Sequence, residues 1–563
     1  MVKMKRNGRM FAYRRISLAA MTLLAGGVQA ADIDVGNPDM AVRWDNTVKY
    51  SAATRLKAAN VVLLSNPNTD DGDRNFSKGI ISDRLDVFSE LDVIYKKSMG
   101  LRLSAAAWYD AAYMGTNDNP GFPGGAFPNQ FSVPYNRFTA GTRDVNGRKV
   151  AMMDAFVFAK FDLGDASGTI RIGRHSLLWG ESLFFGANAI AGGMMPVDVN
   201  KLQSVPGTLF KEAILPVPQV SGQIQLNSNV SVGAYVQTGF VASRLPGVGS
   251  YFSNADPAPA GGEALLLGPG APPAIRTADI DPKRNGQGGV QLKVRGEQTD
   301  YGLYAIRFDE KTPQLVVNLV PVPGAPAGTV MPGSYTLVYP QGVTAYGASL
   351  SRTFGNYNLA IEGSIHRNQD LASSQAVNLA GLSHPGVIFP ATNNTNNPGY
   401  AVGNTAHINL STIGSLDSNP LWREATLAAE LAWSRVLSVT QNAAAADPNA
   451  SRDGVAVRAV LEPTYRGVFD GVDIGVPVGL GWAPYGSRPM AVSNPNAWIP
   501  AGGGDLSIGL NATVRDAWRF TLAYVHYYGP AATFNDAARN NAYSWGQTLA
   551  DRDFISASLR YSF

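Results

Sequence analysis

The chain has 563 residues, a net charge of +3 and no cysteine; charged residues make up 16%, against about 25% in ordinary soluble domains. That balance gives no reason to expect a nucleic-acid partner. The missing cysteine excludes disulfides, a lipidated cysteine and any cysteine-ligated metal centre. Hydrophobic residues reach 45%, yet beyond the amino-terminal region no segment offers the roughly 20 continuous apolar residues of a membrane helix.

At the amino terminus, Lys3, Lys5, Arg6, Arg9, Arg14 and Arg15 precede a short apolar run from Ile16 to Gly26, then Val28-Gln29-Ala30. A charged region, a short hydrophobic region and a small-residue cleavage site in that order read as a secretory signal peptide over residues 1–30. Residues 31–563 are then the mature chain, read as one domain.

From there the pattern is alternation. Val42, Trp44, Val48 and Tyr50 share one face of a strand, with Arg43, Asp45 and Lys49 on the other. Leu85 to Tyr95 sets Leu85, Val87, Leu91 and Val93 against Asp86, Glu90 and Asp92, and Lys96 to Gly100 makes a tight reversal. The returning strand places Leu101, Leu103, Ala105 and Tyr109 outward, with Arg102, Ser104, Trp108 and Asp110 inward. Further hairpins turn at 164–168, 227–229, 296–299, 354–356, 469–471 and around Asp516. Between them lie Gly-, Pro- and Asn-rich segments at 115–148, 244–286, 310–340, 370–402, 438–454, 483–503 and 529–551. Loops of that length are uncommon in compact soluble domains. Short turns on one side and long loops on the other are the plan of outer-membrane barrels.

The fold class expected is all-β: a transmembrane, antiparallel, up-and-down barrel of about 18 strands, with 16 as the alternative. A slip of one residue would turn the polar set of each strand toward lipid, so the face is strongly determined. The last stretch, Asp553 to Phe563, puts Ile555, Ala557, Leu559, Tyr561 and Phe563 on one face. It is similar to the closing strand that the barrel assembly machinery recognises, with Tyr561 and Phe563 as the assembly signal.

One stretch breaks the alternation. It begins at Gly173-Arg-His175, passes Trp179-Gly-Glu-Ser182, Phe184 and Phe185, and runs through Met194 and Pro196-Val-Asp-Val-Asn200 to Glu212. A segment that is neither strand nor hydrophilic loop is expected to fold into the lumen over 180–212, where it sets the pore size or braces the wall. The pore candidates are Trp179, Glu181, Ser182, Phe184, Phe185, Met194, Asp198 and Asn200 on that segment. On the inward faces of the strands they are Trp108, Asp110, Phe156, Arg171, His175, Tyr235 and Glu362.

Taken together, Arg43-Trp-Asp-Asn-Thr-Val-Lys-Tyr50, Gly72-Asp-Arg-Asn-Phe76, Ser89-Glu-Leu-Asp92, Ala107-Trp-Tyr-Asp110, Gly173-Arg-His175, Trp179-Gly-Glu-Ser182 and Pro196-Val-Asp-Val-Asn200 resemble a proteobacterial family. That family is catalogued as domain of unknown function thirteen-oh-two. The resemblance implies a barrel in the Gram-negative outer membrane, in contact with its lipids. It also implies a setting beside a periplasmic carrier similar to lipoprotein-sorting proteins and an inner-membrane pump of the resistance-nodulation-division (RND) type. The family supplies no catalytic residues.

Nor do the residues themselves point to catalysis. The five histidines, His175, His366, His384, His407 and His526, lie on separate segments, so no cofactor or metal is expected. A lipase on the outer wall needs a serine beside a histidine, and the lipid-facing register of the last strand offers His526 none. The inward surface mixes both signs of charge with Trp108, Phe156, Phe158 and Tyr235, which favours a channel for hydrophobic or aromatic molecules. The alternatives are a general porin for hydrophilic solutes and a docking barrel for a lipid carrier.

Overall fold

The computed structural model describes residues 31–122, 127–205, 208 and 210–563; the signal peptide read at 1–30 lies outside them. Alternating apolar and polar residues make extended segments, and the backbone of each finds its hydrogen-bond partners only in a neighbour. The strands are β1 (Met40–Arg55), β2 (Gly79–Tyr95), β3 (Met99–Asp110), β4 (Arg148–Leu163), β5 (Ala166–His175), β6 (Val217–Gln225), β7 (Val230–Gln237), β8 (Gln287–Arg295) and β9 (Thr299–Phe308). They continue as β10 (Val343–Phe354), β11 (Tyr357–Asp370), β12 (Val402–Leu416), β13 (Glu424–Gln441), β14 (Asp453–Phe469), β15 (Val472–Gly475 and Val478–Trp482), β16 (Gly504–Val514), β17 (Trp518–Tyr528) and β18 (Phe554–Ser562).

Each strand pairs antiparallel with its sequence neighbour, and β18 returns to β1, where Arg560 faces Lys49 and Leu559 faces Tyr50. The sheet is a closed 18-stranded barrel, as the alternation predicts. Within it, β15 is interrupted at Pro477, whose nitrogen has no hydrogen to give the ladder. A three-residue strand, Ala31–Ile33, lies against Val42 to Trp44 of β1.

One rim carries short turns and the other carries nine long connections. We call these L1 (56–78), L2 (111–147), L3 (176–216), L4 (238–286), L5 (309–342), L6 (371–401), L7 (442–452), L8 (483–503) and L9 (529–553). Apolar residues face out along the wall: Val150 is 80% exposed, Met152 63% and Leu303 55%, values that suit a hydrocarbon surrounding and no aqueous one. At the short-turn rim the rings of Trp518 and Tyr561 stack at 4.4 Å, and Tyr561 stacks on Phe563 at 5.3 Å. Phe563 also exchanges two backbone hydrogen bonds with Asn46, so the last residue is part of the seam.

The segment 310–340, read from composition as a loop, contains a hairpin instead. Gln314–Pro321 pairs with Val330–Val338 around a Pro- and Gly-rich turn. Ala264–Leu265, Ala274–Arg276 and Val377–Asn378 extend it to a five-stranded sheet made of L4, L5 and L6. The packed interior of this protein therefore lies inside and above the barrel, between wall, L3 and loops.

Candidate functional site

L3 leaves β5 at His175 and crosses the lumen. Its first anchor is Trp179, buried among Tyr235, Tyr304, Ile306, Phe308, Val343 and Ala345 of the wall, with its ring edge-on to Tyr235 at 5.1 Å. Gly180 follows with φ +98°, and a Cβ there would run into Glu362. Only glycine permits both the backbone angle and the close approach. That approach lets Glu362 of β11 accept the N–H of Glu181 and of Ile190, each at 2.7 Å.

A second wall carboxylate grips the next residues. Glu430 of β13 accepts the N–H groups of Leu183 at 3.0 Å, Phe184 and Phe185 at 3.0 Å on one oxygen, while Asn409 donates to the other at 2.7 Å. Backbone N–H groups aimed together at a carboxylate form strong, charge-assisted bonds. Asn188 then donates to Asn409 at 3.0 Å and to the Trp433 carbonyl at 3.1 Å, and His407 meets its Oδ1 at 2.8 Å. Phe185 packs beside Trp498 of L8 at 5.6 Å.

The return path is held by charge. Asp198 caps the short helix Val199–Ser204 through the Lys201 N–H at 2.8 Å and pairs with Arg244 at 3.1 Å. Arg244 in turn lies over the Trp108 ring at 5.6 Å, as Arg84 does at 5.0 Å. Asn200 accepts from Asn146 at 2.8 Å. Glu212 draws in three cations, Arg560 at 2.9 Å, Lys201 at 3.7 Å and Lys49 at 4.0 Å. The gap left between this end of L3 and the wall is a void of about 10 Å³.

Above L3 opens a cavity of about 1090 Å³. Its floor includes Leu178, Ser182, Phe184 and Leu202 of L3, and its roof is the loop sheet, which turns Leu315, Val317, Leu319 and Leu337 inward. Phe252, Leu265, Val492, Trp498, Ile499 and Phe534 continue the apolar part of the lining from L4, L8 and L9, while amides and hydroxyls such as Asn66, Gln203, Gln375 and Asn541 make up the rest. Charges in that lining are few and engaged: Arg458 holds Asp505 at 2.6 Å, and Glu310 accepts from Gln369 at 2.8 Å. Lys311 donates to Gln287 at 2.6 Å and to the Asp309 carbonyl at 2.8 Å. Burial pulls its ammonium down to about 8, against the opposing pull of Asp309 and Glu310. On L3, burial pushes the Glu181 carboxyl up.

Of the residues expected from the sequence, Ser182 and Phe184 line this cavity. Trp179, Met194, Tyr235 and Glu362 join L3 to the wall, and Glu181 does so through its backbone. Phe185, Asp198 and Asn200 brace L3 against other loops. Asp110 accepts from Ser82 at 2.6 Å and from the N–H groups of Asp83 and Ala112 at 3.0 Å, which caps the turn after β3. Phe156, Arg171 and His175 cluster on β4 and β5, with Arg171 over the Phe156 ring at 5.8 Å and His175 bonded to Ser221 at 2.7 Å.

Two of the histidines that lie on separate segments are neighbours in the barrel. Adjacent strands β11 and β12 bring the rings of His366 and His407 to 4.3 Å. Missing from the sequence reading are the second carboxylate, Glu430, as an anchor and the loop residues that make the roof. The run Leu315 to Val320, apolar except for Asn318, was the available signal for the latter.

A family model described as "Protein of unknown function (DUF1302)" matches residues 12–563. No curated protein matches the chain. Among solved structures, that of Acinetobacter baumannii OccAB4 is similar over 93% of this chain and 98% of its own, at 8% identity and a TM-score of 0.43. That of Pseudomonas aeruginosa OpdK with vanillate is similar over 93% and 98%, at 10% identity and a TM-score of 0.39. At that similarity no residue correspondence follows.

Proposed function

The chain belongs to the DUF1302 family, and from that premise we propose that it is an outer-membrane channel for hydrophobic or aromatic small molecules, with L3 as its constriction. The observation that carries this reading is the cavity of about 1090 Å³ between L3 and the loop sheet, in whose lining Leu, Val, Phe and Trp side chains outweigh the amides and hydroxyls. Sites for small organic molecules are concave, mostly apolar and of about 300–1,000 Å³, with few polar groups to orient the solute. A water-filled porin gains nothing from such a lining, because hydrated solutes lose their water against it.

In this reading an apolar solute enters among L4, L5, L8 and L9 and rests on Phe184. It leaves toward the periplasm when L3 shifts on its two carboxylate anchors. Transfer to a periplasmic carrier and an RND-type pump belongs to the same proposal, and recovery of such a carrier with the barrel would support it.

The test is uptake by intact cells. Cells with the protein should take up the apolar fluorophore N-phenylnaphthylamine faster than cells without it, and Val317→Asp should remove the gain. Faster entry of a small sugar with no gain for the fluorophore would replace this reading with a general porin.

A further inference from the structure

Asp70 and Asp71 of L1 and Asp256 of L4 are all buried, and one oxygen of each lies within 4.8 Å of the others. Among the described residues one cation is paired with the three: Arg74 bonds Asp70 Oδ2 at 2.6 Å. The nearby Arg55 and Arg552 are engaged with Asp73 and Asp551. Hydrogen bonding leaves the group short of partners as well. Asp71 has weak donors, Asn119 at 3.4 Å and the Asn129 N–H at 3.5 Å. Asp256, completely buried, accepts the Asp71 N–H on Oδ2 at 3.2 Å, while Asp70 Oδ1 and Asp256 Oδ1 have no donor.

A fourth oxygen is independent of the carboxylates. Asn129 is 2% exposed and spends its amide nitrogen on Asn68 at 2.7 Å and the Ala264 carbonyl at 3.0 Å. That leaves its Oδ1 on the other side of the amide, buried and unpaired, in a residue whose N–H already touches Asp71. A buried polar oxygen without a partner is costly, and a cluster of them with excess negative charge is relieved either by protonation or by a bound cation.

We propose that Asp70, Asp71, Asp256 and Asn129 hold a calcium ion that ties L1, L2 and L4 together beside the cavity. An all-oxygen donor set of carboxylates and an amide carbonyl selects a hard cation, and calcium tolerates irregular coordination where magnesium demands an octahedron. The ion removes the charge excess and gives the unpaired oxygens their partner. Its position has a consequence for the roof, since Asn68, Ala255 and Pro257 line the cavity within two residues of these ligands. The site stands whatever solute the cavity takes.

The experiment uses the full-length barrel purified from outer membranes in detergent, stripped with EGTA and titrated with calcium chloride, with bound calcium counted by equilibrium dialysis. About one ion per barrel is expected, with micromolar to millimolar affinity, together with calcium-dependent protection of L4 from protease. Asp71→Asn and Asp256→Asn should each weaken binding by about tenfold or more, as loss of one ligand charge implies. Asp417→Asn, at a short turn, should leave it unchanged. Heat-modifiable gel mobility identifies the folded variants. If wild-type barrel binds no calcium at millimolar concentration, or folded Asp71→Asn and Asp256→Asn bind it as wild type does, the proposal fails.

Discussion

At the scale of single residues, Glu430 is the side chain on which the position of L3 most depends. Its carboxylate receives three successive N–H groups on one oxygen, and no neutral acceptor holds three donors equally well. Bonds to a charged group contribute about 1.5–3 kcal/mol each. Glu430→Gln should therefore loosen L3 without removing the strand. The expected outcome is a higher and noisier single-channel current in planar bilayers, with folded yield retained; unchanged conductance and noise would take L3 out of the constriction. Lys311 gives the cavity a pH dependence. Its ordinary value of 10.5 falls to about 8 through burial, so the side chain is charged at pH 7 and mostly neutral at pH 9. Losing one positive charge favours cations. The reversal potential in a potassium chloride gradient should move toward cation selectivity between pH 7 and 9. Lys311→Met should show that selectivity already at pH 7 and shift little further.

At the scale of elements, the strands were legible because one face of each meets lipid and its register has no tolerance. Leu85, Val87 and Leu91 against Asp86 and Glu90 read directly, and β2 carries them so. The hairpin in L5 was hidden by its surroundings: Pro and Gly on both sides of its strands read as loop, and Leu315 to Val320, apolar except for Asn318, has no polar face to mark a period of two. L3 was recognisable as an exception, since Trp179-Gly-Glu-Ser182 has no strand period. What held it was not recognisable. Glu362 and Glu430 look alike in sequence to any inward carboxylate, and their role exists only because β11 and β13 face the crossing loop. Turn chemistry was also partly silent. Lys96 and Lys97 both take positive φ, as the tight turn closed by the Ser98 N–H on the Tyr95 carbonyl needs and as Asn-Gly supplies more cheaply. Left-handed lysine costs about 1–2 kcal/mol, and glycine returns about 0.5–1 kcal/mol of that in lost chain entropy. Lys97→Gly should raise the thermal midpoint of the barrel slightly, by the equivalent of up to about 1 kcal/mol. A lower midpoint would mean that the Lys97 side chain contributes more than its backbone costs.

At the scale of the whole molecule, the barrel is a frame around an interior that the strands alone do not fill. An 18-stranded wall leaves a lumen wider than side chains can close. The chain fills it from one side with L3 and roofs it with a sheet of loops. Barrel closure was readable from alternation, turn spacing and the aromatic carboxy terminus. The roof was not, because the long-range contacts of L4, L5, L6, L8 and L9 depend on which loops the cylinder brings together. The result is a membrane protein with a cavity of about 1090 Å³ between L3 and the loops, its lining more apolar than polar. Current through a single barrel in a planar bilayer, titrated with 1-naphthol, tests that cavity most directly. Saturable block of the current by the aromatic solute is expected, with its loss in Val317→Asp; current that naphthol leaves untouched, or blocks equally in Val317→Asp, would contradict a solute site in the cavity.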